Sequence, residues 1–235
     1  MVSAPSGLLT CLVRFSALRT TANTACAGAL GVGLLLIALV AHAAGSRTIL
    51  VFGDSLSAAY GLAPQEGWVA LLAQRLRSQG YGYQVVNASE SGETSGGGLE
   101  RLPRALELHH PTIVVLELGA NDGLRALPVA EMRANLERMI GLARTAGAKV
   151  LLLGIRIPPN YGPRYTQELE RVFPELANQY HLPLVPFLLE KVALDPELMQ
   201  PDGMHPNARG EAPVLDTIWP YLEPLLENKH RTGGS

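Results

Sequence analysis

The chain has 235 residues, of which 47% are hydrophobic and 17% are charged, and its formal net charge is −2. This composition is that of a globular protein rather than a disordered one, and the length suits one large α/β domain or two small ones. Since basic residues are not concentrated into a patch, we do not expect nucleic acid as a partner.

The first part of the chain differs from the rest. Its only two charged residues are arginines, and an apolar run over residues 29–40 leads into an Ala-His-Ala-Ala exit at residues 41–44. This pattern predicts a signal peptide over residues 1–44, cleaved after Ala43 or Ala44, and hence a periplasmic or secreted bacterial protein. An uncleaved membrane anchor is the alternative, because the uncharged run is long enough to span a bilayer. After cleavage we expect no stable membrane association.

Both cysteines of the chain, Cys11 and Cys26, lie within this leader. The mature protein is therefore predicted to have no disulfide and to depend on a packed core for its stability. Neither repeats nor a low-complexity linker interrupt the remainder, so we predict one domain over residues 45–228. Residues 229–235 are polar and glycine-rich, which is typical of a flexible tail.

Short aliphatic or β-branched runs alternate with longer segments along the mature chain. Five of these runs predict strands: Thr48–Phe52, Gln84–Asn87, Thr112–Leu118, Lys149–Ile155 and Leu184–Phe187. Apolar residues recur every three or four positions within 68–76, 136–143 and 215–222, which predicts helices with a core-facing stripe. The alternation predicts an α/β fold with three α/β/α layers, built on a five-stranded, parallel, doubly wound sheet with right-handed crossovers.

The first predicted strand stops abruptly at Gly53-Asp54-Ser55-Leu56. Gly53 permits a tight turn, and Asp54 or Ser55 can cap a following helical segment. A serine at the carboxyl end of such a strand also lies where open α/β sheets bind ligands. From this segment alone, Ser55 is therefore either a nucleophile or a helix cap.

A nucleophilic serine needs a base within hydrogen-bonding distance and a group that orients that base. Of the six histidines, His205 alone follows the last strand and precedes the final helix. The others lie in the leader, in the tail or at the opposite edge of the sheet. A turn through Gly203 can bring Asp202 to the imidazole Nδ1. An ordinary turn before a proline-initiated helix is the alternative.

Two more strand ends carry potential hydrogen-bond donors. Gly92 follows the second strand, and a glycine lets its backbone N–H approach a ligand closely. Asn121 follows the third strand and can offer its side-chain NH₂ to an oxyanion. Each segment can equally be an ordinary turn, because Asn, Asp and Gly favour turns. The coincidence of four such segments on one edge of the predicted sheet favours an active site.

The four segments Gly53-Asp54-Ser55-Leu56, Ser91-Gly92, Gly119-Ala120-Asn121-Asp122 and Asp202-Gly203-Met204-His205-Pro206-Asn207 resemble, in order and spacing, the four blocks of the SGNH (GDSL) hydrolase family. The resemblance implies a flavodoxin-like fold, with Ser55 as nucleophile, His205 as general base and Asp202 as the orienting acid. It also implies an oxyanion hole formed by the backbone N–H groups of Ser55 and Gly92 and by the Asn121 side chain. Asp54 is a second candidate acid, but as the neighbour of Ser55 it is expected to stabilise the turn.

The activity implied by the resemblance is hydrolysis of fatty acyl esters, aryl esters, lysophospholipids and acyl-CoA thioesters. The partner is then a small-molecule ester or thioester. The resemblance implies no metal or other cofactor, and the protein is expected to be a monomer or a weak dimer. Leu124, Ile157 and Pro158 are predicted to line the acyl site. Ala120 and Glu90 depart from the family pattern, and a Glu90 carboxylate near the oxyanion hole would oppose charge there.

Two other functions remain open on the sequence. A carbohydrate O-deacetylase would use the same serine, histidine and aspartate, although the aromatic content of only 6% argues against a sugar-stacking platform. A non-catalytic acyl- or lipid-binding protein on the same scaffold is the alternative from a different class. Labelling of Ser55 by a phosphonate separates an enzyme from a binding protein.

Overall fold

A computed structural model describes residues 47–227, and the predicted signal peptide and tail lie outside the described residues. The strands are β1 (Arg47–Gly53), β2 (Tyr83–Asn87), β3 (Ile113–Glu117), β4 (Lys149–Leu153) and β5 (Leu184–Val185). The α-helices of the described part are α1 (Trp68–Ser78), α2 (Ser95–His109), α3 (Ala120–Leu124), α4 (Val129–Thr145), α5 (Pro163–Tyr180) and α6 (Glu211–Leu222). Short 3₁₀ turns occupy Pro159–Tyr161, Pro196–Leu198 and Glu223–Leu225.

The five strands form one parallel sheet in the order β2-β1-β3-β4-β5. Helix α1 packs with α6, whereas α4 packs with α2 and α5, so that helices cover both faces of the sheet. The predicted α/β fold with a five-stranded parallel sheet is thereby confirmed, and the strand order is flavodoxin-like. Across residues 47–227, no helix is long and apolar enough to cross a membrane.

Strands β1 and β3 lie side by side in the middle of the sheet. The crossovers from β1 to β2 and from β2 to β3 run in opposite directions along the sheet, so the strand order reverses at β1 and β3. In open α/β sheets a crevice for ligands forms outside the carboxyl ends of the strands at such a point. The turns after β1 and β3, which carry Ser55 and Asn121, are therefore brought together by topology.

The helices α2, α3 and α5 were not among those predicted, although Leu169, Val172, Phe173 and Leu176 of α5 recur at helical spacing and are buried. In α2, the first residue Ser95 is followed by Gly96-Gly97-Gly98, and the helix also contains Pro103. Helix α5 contains Pro174. Glycine and proline are the poorest helix formers, so the local sequence of α2 argues against the helix that tertiary packing stabilises. His110 and His181 cap the carboxyl ends of α2 and α5 in the left-handed conformation. Both precede strands, as predicted, at the edge of the sheet opposite Ser55.

Two helical glycines provide a matched test of packing. A Cβ on Gly98 would lie 2.4 Å from Leu118 Cδ1, whereas a Cβ on Gly141 of α4 would meet nothing within 4 Å. Gly98→Ala is expected to lower the free energy of unfolding by about 1–3 kcal/mol through overpacking. Gly141→Ala is expected to raise it by about 0.5–1 kcal/mol, because alanine favours the helix. Urea denaturation measures both, and equal effects of the two substitutions would contradict this packing.

A buried carboxyl joins the amino ends of α1 and α6. Glu211 is 2% exposed, and its Oε2 accepts a hydrogen bond of 2.8 Å from the Trp68 N–H. Burial raises the pKa of Glu211 from 4.5 to about 7, with the Trp68 hydrogen bond opposing the rise. A carboxyl whose pKa is raised by folding stabilises the fold below pH 4.5, and that contribution is lost as the pH rises through 7.

Glu211→Gln is therefore expected to be as stable as the parent protein at about pH 4 and more stable at about pH 8.5, by roughly 1–3 kcal/mol. Glutamine keeps an acceptor for the Trp68 N–H but carries no charge to desolvate. Urea denaturation at the two pH values measures the difference, with the exposed Glu131→Gln on α4 as the control. A difference that does not change with pH would argue against a charge effect.

Candidate active site

The turn after β1 is capped by the side chain of Asp54 rather than by that of Ser55. The Asp54 Oδ1 accepts the Leu56 N–H at 3.0 Å, and the Asp54 carbonyl accepts the N–H groups of Ser57 and Ala58. Of the two roles that the sequence left open, capping of this turn thus belongs to Asp54. The side chain of Ser55 is free to face the cleft that it lines.

The loop that carries His205 folds around Asp202. The Asp202 Oδ1 accepts the backbone N–H groups of Met204 at 2.9 Å and His205 at 3.0 Å. Its Oδ2 lies 2.7 Å from His205 Nδ1, and Gly203 makes the turn with a φ of +68°. Desolvation raises the pKa of Asp202, but the hydrogen bonds from Met204 and His205 outweigh it and leave this pKa below its ordinary value. Asp202 is therefore ionised at neutral pH.

The other imidazole nitrogen faces the serine. His205 Nε2 lies 2.9 Å from Ser55 Oγ, which completes a hydrogen-bonded series from Asp202 through His205 to Ser55. The Tyr60 ring lies against the imidazole with its centroid 4.6 Å away. Gln200 Nε2 donates to the carbonyls of Tyr60 and Pro206, and this ties the two loops together. The local sequence does not predict that tie, because the loops are distant in the chain.

Gly92 and Asn121 line the same cleft as Ser55. Gly92 has a φ of +82°, and its carbonyl accepts a hydrogen bond of 2.7 Å from Arg125 Nη2. Asn121 lies in the first turn of α3 and donates one Nδ2 hydrogen to Asp54 Oδ2 at 3.0 Å. Since an amide NH₂ carries two hydrogens, the second is available to a ligand.

The cleft has a volume of about 830 Å³ and its walls are mainly apolar. The predicted residues Leu124, Ile157 and Pro158 all line it. Sequence reasoning missed a further part of the lining, which comes after β5 and consists of Leu189, Ala193, Leu194, Met199 and Met204. That segment has no helical or strand-like spacing, and only its tertiary position marks it as part of the site.

The two departures from the family pattern have different surroundings. Ala120 lines the cleft, where its methyl group adds apolar surface. Glu90 forms an ion pair of 3.0 Å with Arg101 of α2, and its side chain is 62% exposed. Glu90 is not one of the described residues that line the cleft, so its carboxylate is directed at Arg101 rather than at Gly92.

The carboxyl of Glu117 is buried against the turn that carries Ser55. Glu117 ends the apolar strand β3, is 0% exposed, and accepts hydrogen bonds from the Asp54 N–H and from Ser57 Oγ. Burial and the neighbouring Asp54 raise the pKa of Glu117 well above its ordinary value. Sequence reasoning missed Glu117, although an acidic residue inside a run as apolar as Ile113–Leu118 is a signal that could have found it. Within residues 47–227, no three His, Cys, Asp or Glu residues are grouped to hold a metal ion.

A flavodoxin-like sheet with a serine, a histidine and an aspartate hydrogen-bonded at its carboxyl edge, beside an apolar cleft, is an architecture typical of acyl hydrolases. Residues 51–212 match the model of the GDSL-like Lipase/Acylhydrolase family. The chain belongs to this family, and the resemblance to SGNH (GDSL) hydrolases is confirmed.

Named relatives agree with the family. The chain is 52% identical over 194 residues to Esterase TesA of Pseudomonas aeruginosa, covering 83% of this chain and 96% of that protein. It is 41% identical over 195 residues to Thioesterase 1/protease 1/lysophospholipase L1 of Escherichia coli K12, covering 83% of this chain and 92% of that protein. A similar solved structure is that of the psychrotrophic esterase EstA from Pseudoalteromonas sp., inhibited by monoethylphosphonate. It superposes with a TM-score of 0.74 at 42% sequence identity, and the match covers 77% of this chain and 100% of the EstA chain.

Proposed function

We propose that this protein is a serine esterase that hydrolyses fatty acyl esters and thioesters through an acyl-enzyme on Ser55. The observation that carries the proposal is the hydrogen-bonded series from Asp202 through His205 to Ser55, of which His205 and Ser55 line an apolar cleft. The relatives named as an esterase and as a thioesterase and lysophospholipase support the substrate class.

In the acylation step, Ser55 Oγ bonds to the acyl carbonyl carbon while its proton passes to His205 Nε2. The carbonyl π electrons move to oxygen, and the backbone N–H groups of Ser55 and Gly92 and the Asn121 side chain stabilise this oxyanion. Asp202 keeps the imidazole in the required tautomer and stabilises the imidazolium. The bond to the leaving group then breaks, and the leaving oxygen or sulfur takes the proton from His205.

In the deacylation step, water replaces the leaving group. His205 Nε2 removes a proton from water as its oxygen bonds to the acyl carbon, and the same three donors stabilise the second oxyanion. Collapse of this intermediate breaks the bond to Ser55 Oγ, which recovers its proton from His205. The products are a carboxylic acid and an alcohol or thiol, and the free enzyme is restored.

The cleft favours a fatty acyl chain over an acetyl group or a sugar. A volume of about 830 Å³ exceeds what an acetyl group needs, and the walls that include Leu124, Ile157 and Leu189 are apolar. Burial of each CH₂ of a chain contributes about 0.8 kcal/mol. The phenylalanine and tyrosine rings that line the cleft are those of Phe187 and Tyr60. Because the Tyr60 ring packs against His205, the two rings do not suggest a platform on which a sugar would stack. The cleft therefore supports an esterase of medium or long acyl chains rather than a carbohydrate deacetylase.

The proposal is tested by labelling and by a substrate panel. A fluorophosphonate is expected to modify Ser55 stoichiometrically, as located by peptide mass spectrometry, and to abolish activity. A series of p-nitrophenyl esters from C2 to C16, with lysophospholipid, acyl-CoA and acetylated xylan beside it, is expected to show kcat/KM rising with chain length. Absence of labelling would exclude the enzyme class, whereas a preference for acetylated xylan would identify a deacetylase instead.

We also propose export to the periplasm, with residues 1–44 as the signal peptide and a monomer or weak dimer as the mature form. The support is the basic start, the apolar run and the small-residue exit of the leader. Expression in a Gram-negative host is expected to place activity in the osmotic-shock fraction, with a mature amino terminus at residue 44 or 45. Activity that stays with washed membranes would indicate the uncleaved anchor.

A further inference from the structure

Glu117 lies where the backbone of the Ser55 turn leaves the sheet. In the register of the sheet it is the partner of Gly53, and a side chain at Gly53 would not fit, since its Cβ would lie 2.5 Å from Glu117 Oε2. Glu117 Oε2 accepts two hydrogen bonds, from the Asp54 N–H at 3.1 Å and from Ser57 Oγ at 2.8 Å. Glu117 Oε1 is buried and has no hydrogen-bond partner among the described residues.

Asp54 connects this buried carboxyl to the cleft. It is 0% exposed, and both of its carboxylate oxygens accept hydrogen bonds. Oδ1 accepts the Leu56 N–H at 3.0 Å, and Oδ2 accepts Asn121 Nδ2 at 3.0 Å. The backbone N–H of Asp54 is thus bonded to Glu117, and the side chain of Asp54 is bonded to the amide of Asn121.

The hydrogen bonds indicate which of the two carboxyls is charged. Two N–H donors on the Asp54 carboxylate favour its ionised form. Both donors to Glu117 lie on Oε2, so its buried Oε1 has none, and when two adjacent buried carboxyls cannot both ionise, Glu117 is the one that keeps a proton. The pKa values agree in direction, because burial and the charge of Asp54 raise the pKa of Glu117 well above its ordinary value.

The titratable groups that act on Asp54 are Glu117 and His205. Burial raises the pKa of Asp54 to about 6, while the hydrogen bonds from Leu56 and Asn121 and the charge of His205 oppose the rise. Asp54 is therefore ionised at neutral pH, and the buried pair carries a single negative charge.

We propose that Glu117 is a positioning residue held as a neutral carboxylic acid, and that through Asp54 it fixes the Asn121 amide in the direction of the oxyanion. The inference rests on the proposed acyl transfer, because it concerns a donor used in that reaction. Neither Asp54 nor Glu117 is among the described residues that line the cleft. A charged Asp54 next to a neutral Glu117 keeps one Nδ2 hydrogen of Asn121 engaged and leaves the other aimed into the cleft.

The protonation of Glu117 is measured without reference to activity. At pH 8 the infrared spectrum of the protein is expected to contain the C=O stretch of a protonated carboxyl group, and Glu117→Gln is expected to lose it. Exposed Glu168→Gln on α5 is the matched control and is expected to keep the band. A spectrum without that band, a band unaffected by Glu117→Gln, or a Glu117→Gln protein that fails to fold would overturn the neutral assignment.

The positioning role is measured by kinetics on a p-nitrophenyl ester. Glu117→Leu removes the acceptor for Ser57 and for the Asp54 N–H, and is expected to lower kcat by roughly 10- to 100-fold with KM retained, because small displacements of a catalytic group are costly. Glu117→Gln is expected to recover most of kcat, with the pH profile of the parent protein. A Glu117→Leu variant that raises KM alone, or no recovery by Glu117→Gln, would overturn the role.

Asp54→Asn provides an independent measurement. Asparagine has one acceptor oxygen for the two donors Leu56 N–H and Asn121 Nδ2, so kcat is expected to fall while KM is kept. An unchanged kcat would overturn the inference. The proposed function fails on a different observation, since absence of Ser55 labelling by a phosphonate does not depend on Glu117 or on Asp54.

Discussion

Ser55→Ala is expected to lower kcat on p-nitrophenyl esters by about 10⁴-fold or more, with KM little changed. The loss is large because Ser55 Oγ, 2.9 Å from His205 Nε2, is the atom that forms the acyl-enzyme in the proposed mechanism. The oxyanion donors and the cleft remain, so some acceleration over water persists. Steady-state kinetics measures the effect, and the same variant is expected to take up no fluorophosphonate.

The matched control is Ser78→Ala, an exposed serine whose Oγ donates to a backbone carbonyl at the end of α1. Its kcat and KM are expected to equal those of the parent protein. Thermal denaturation of both variants checks that the fold is retained. A Ser55→Ala protein that keeps normal activity while remaining folded would exclude Ser55 as the nucleophile.

Asn121→Ala is expected to lower kcat by about 10²–10³-fold, equivalent to roughly 2.7–4 kcal/mol of transition-state stabilisation. In the proposed mechanism the amide donates to charge that develops only after Ser55 attacks, so substrate binding and KM are expected to change little. Ping-pong kinetics and labelling by a phosphonate are expected to persist, with a slower labelling rate. Pre-steady-state kinetics measures whether acylation is the slowed step.

Asn178→Ala, an exposed position on α5, is the control and is expected to have no effect. The loss in Asn121→Ala has a second component, since Asp54 Oδ2 then lacks the donor that it has at 3.0 Å. That component is structural and lowers stability rather than kcat. Reduced thermal stability with normal kcat would therefore assign Asn121 to the fold and not to the oxyanion.

Several elements could be predicted because their signal is local. The residues of β1 and β3 are buried on both faces of the sheet, so apolar side chains run almost unbroken from Ile49 to Phe52 and from Ile113 to Leu116. The turn through Asp202 was predicted for the same reason, since a carboxylate three residues before His205 needs only one glycine to reach it. Helix α4 showed its apolar stripe, whereas the glycines of α2 concealed that helix, because their packing partner Leu118 lies on another element.

The sequence by itself determined the class of fold, the family and the identities of Ser55, Gly92, Asn121 and His205 as candidate site residues, because each lies in a short segment with its own composition. Only the tertiary structure decided which groups touch. It brought His205 Nε2 to Ser55 Oγ across 150 residues, formed the cleft wall after β5, and directed Glu90 at Arg101. It also joined Glu117 to Asn121 through Asp54, a relation that depends on sheet register and on the desolvation of a carboxyl in the core, neither of which is encoded in neighbouring residues.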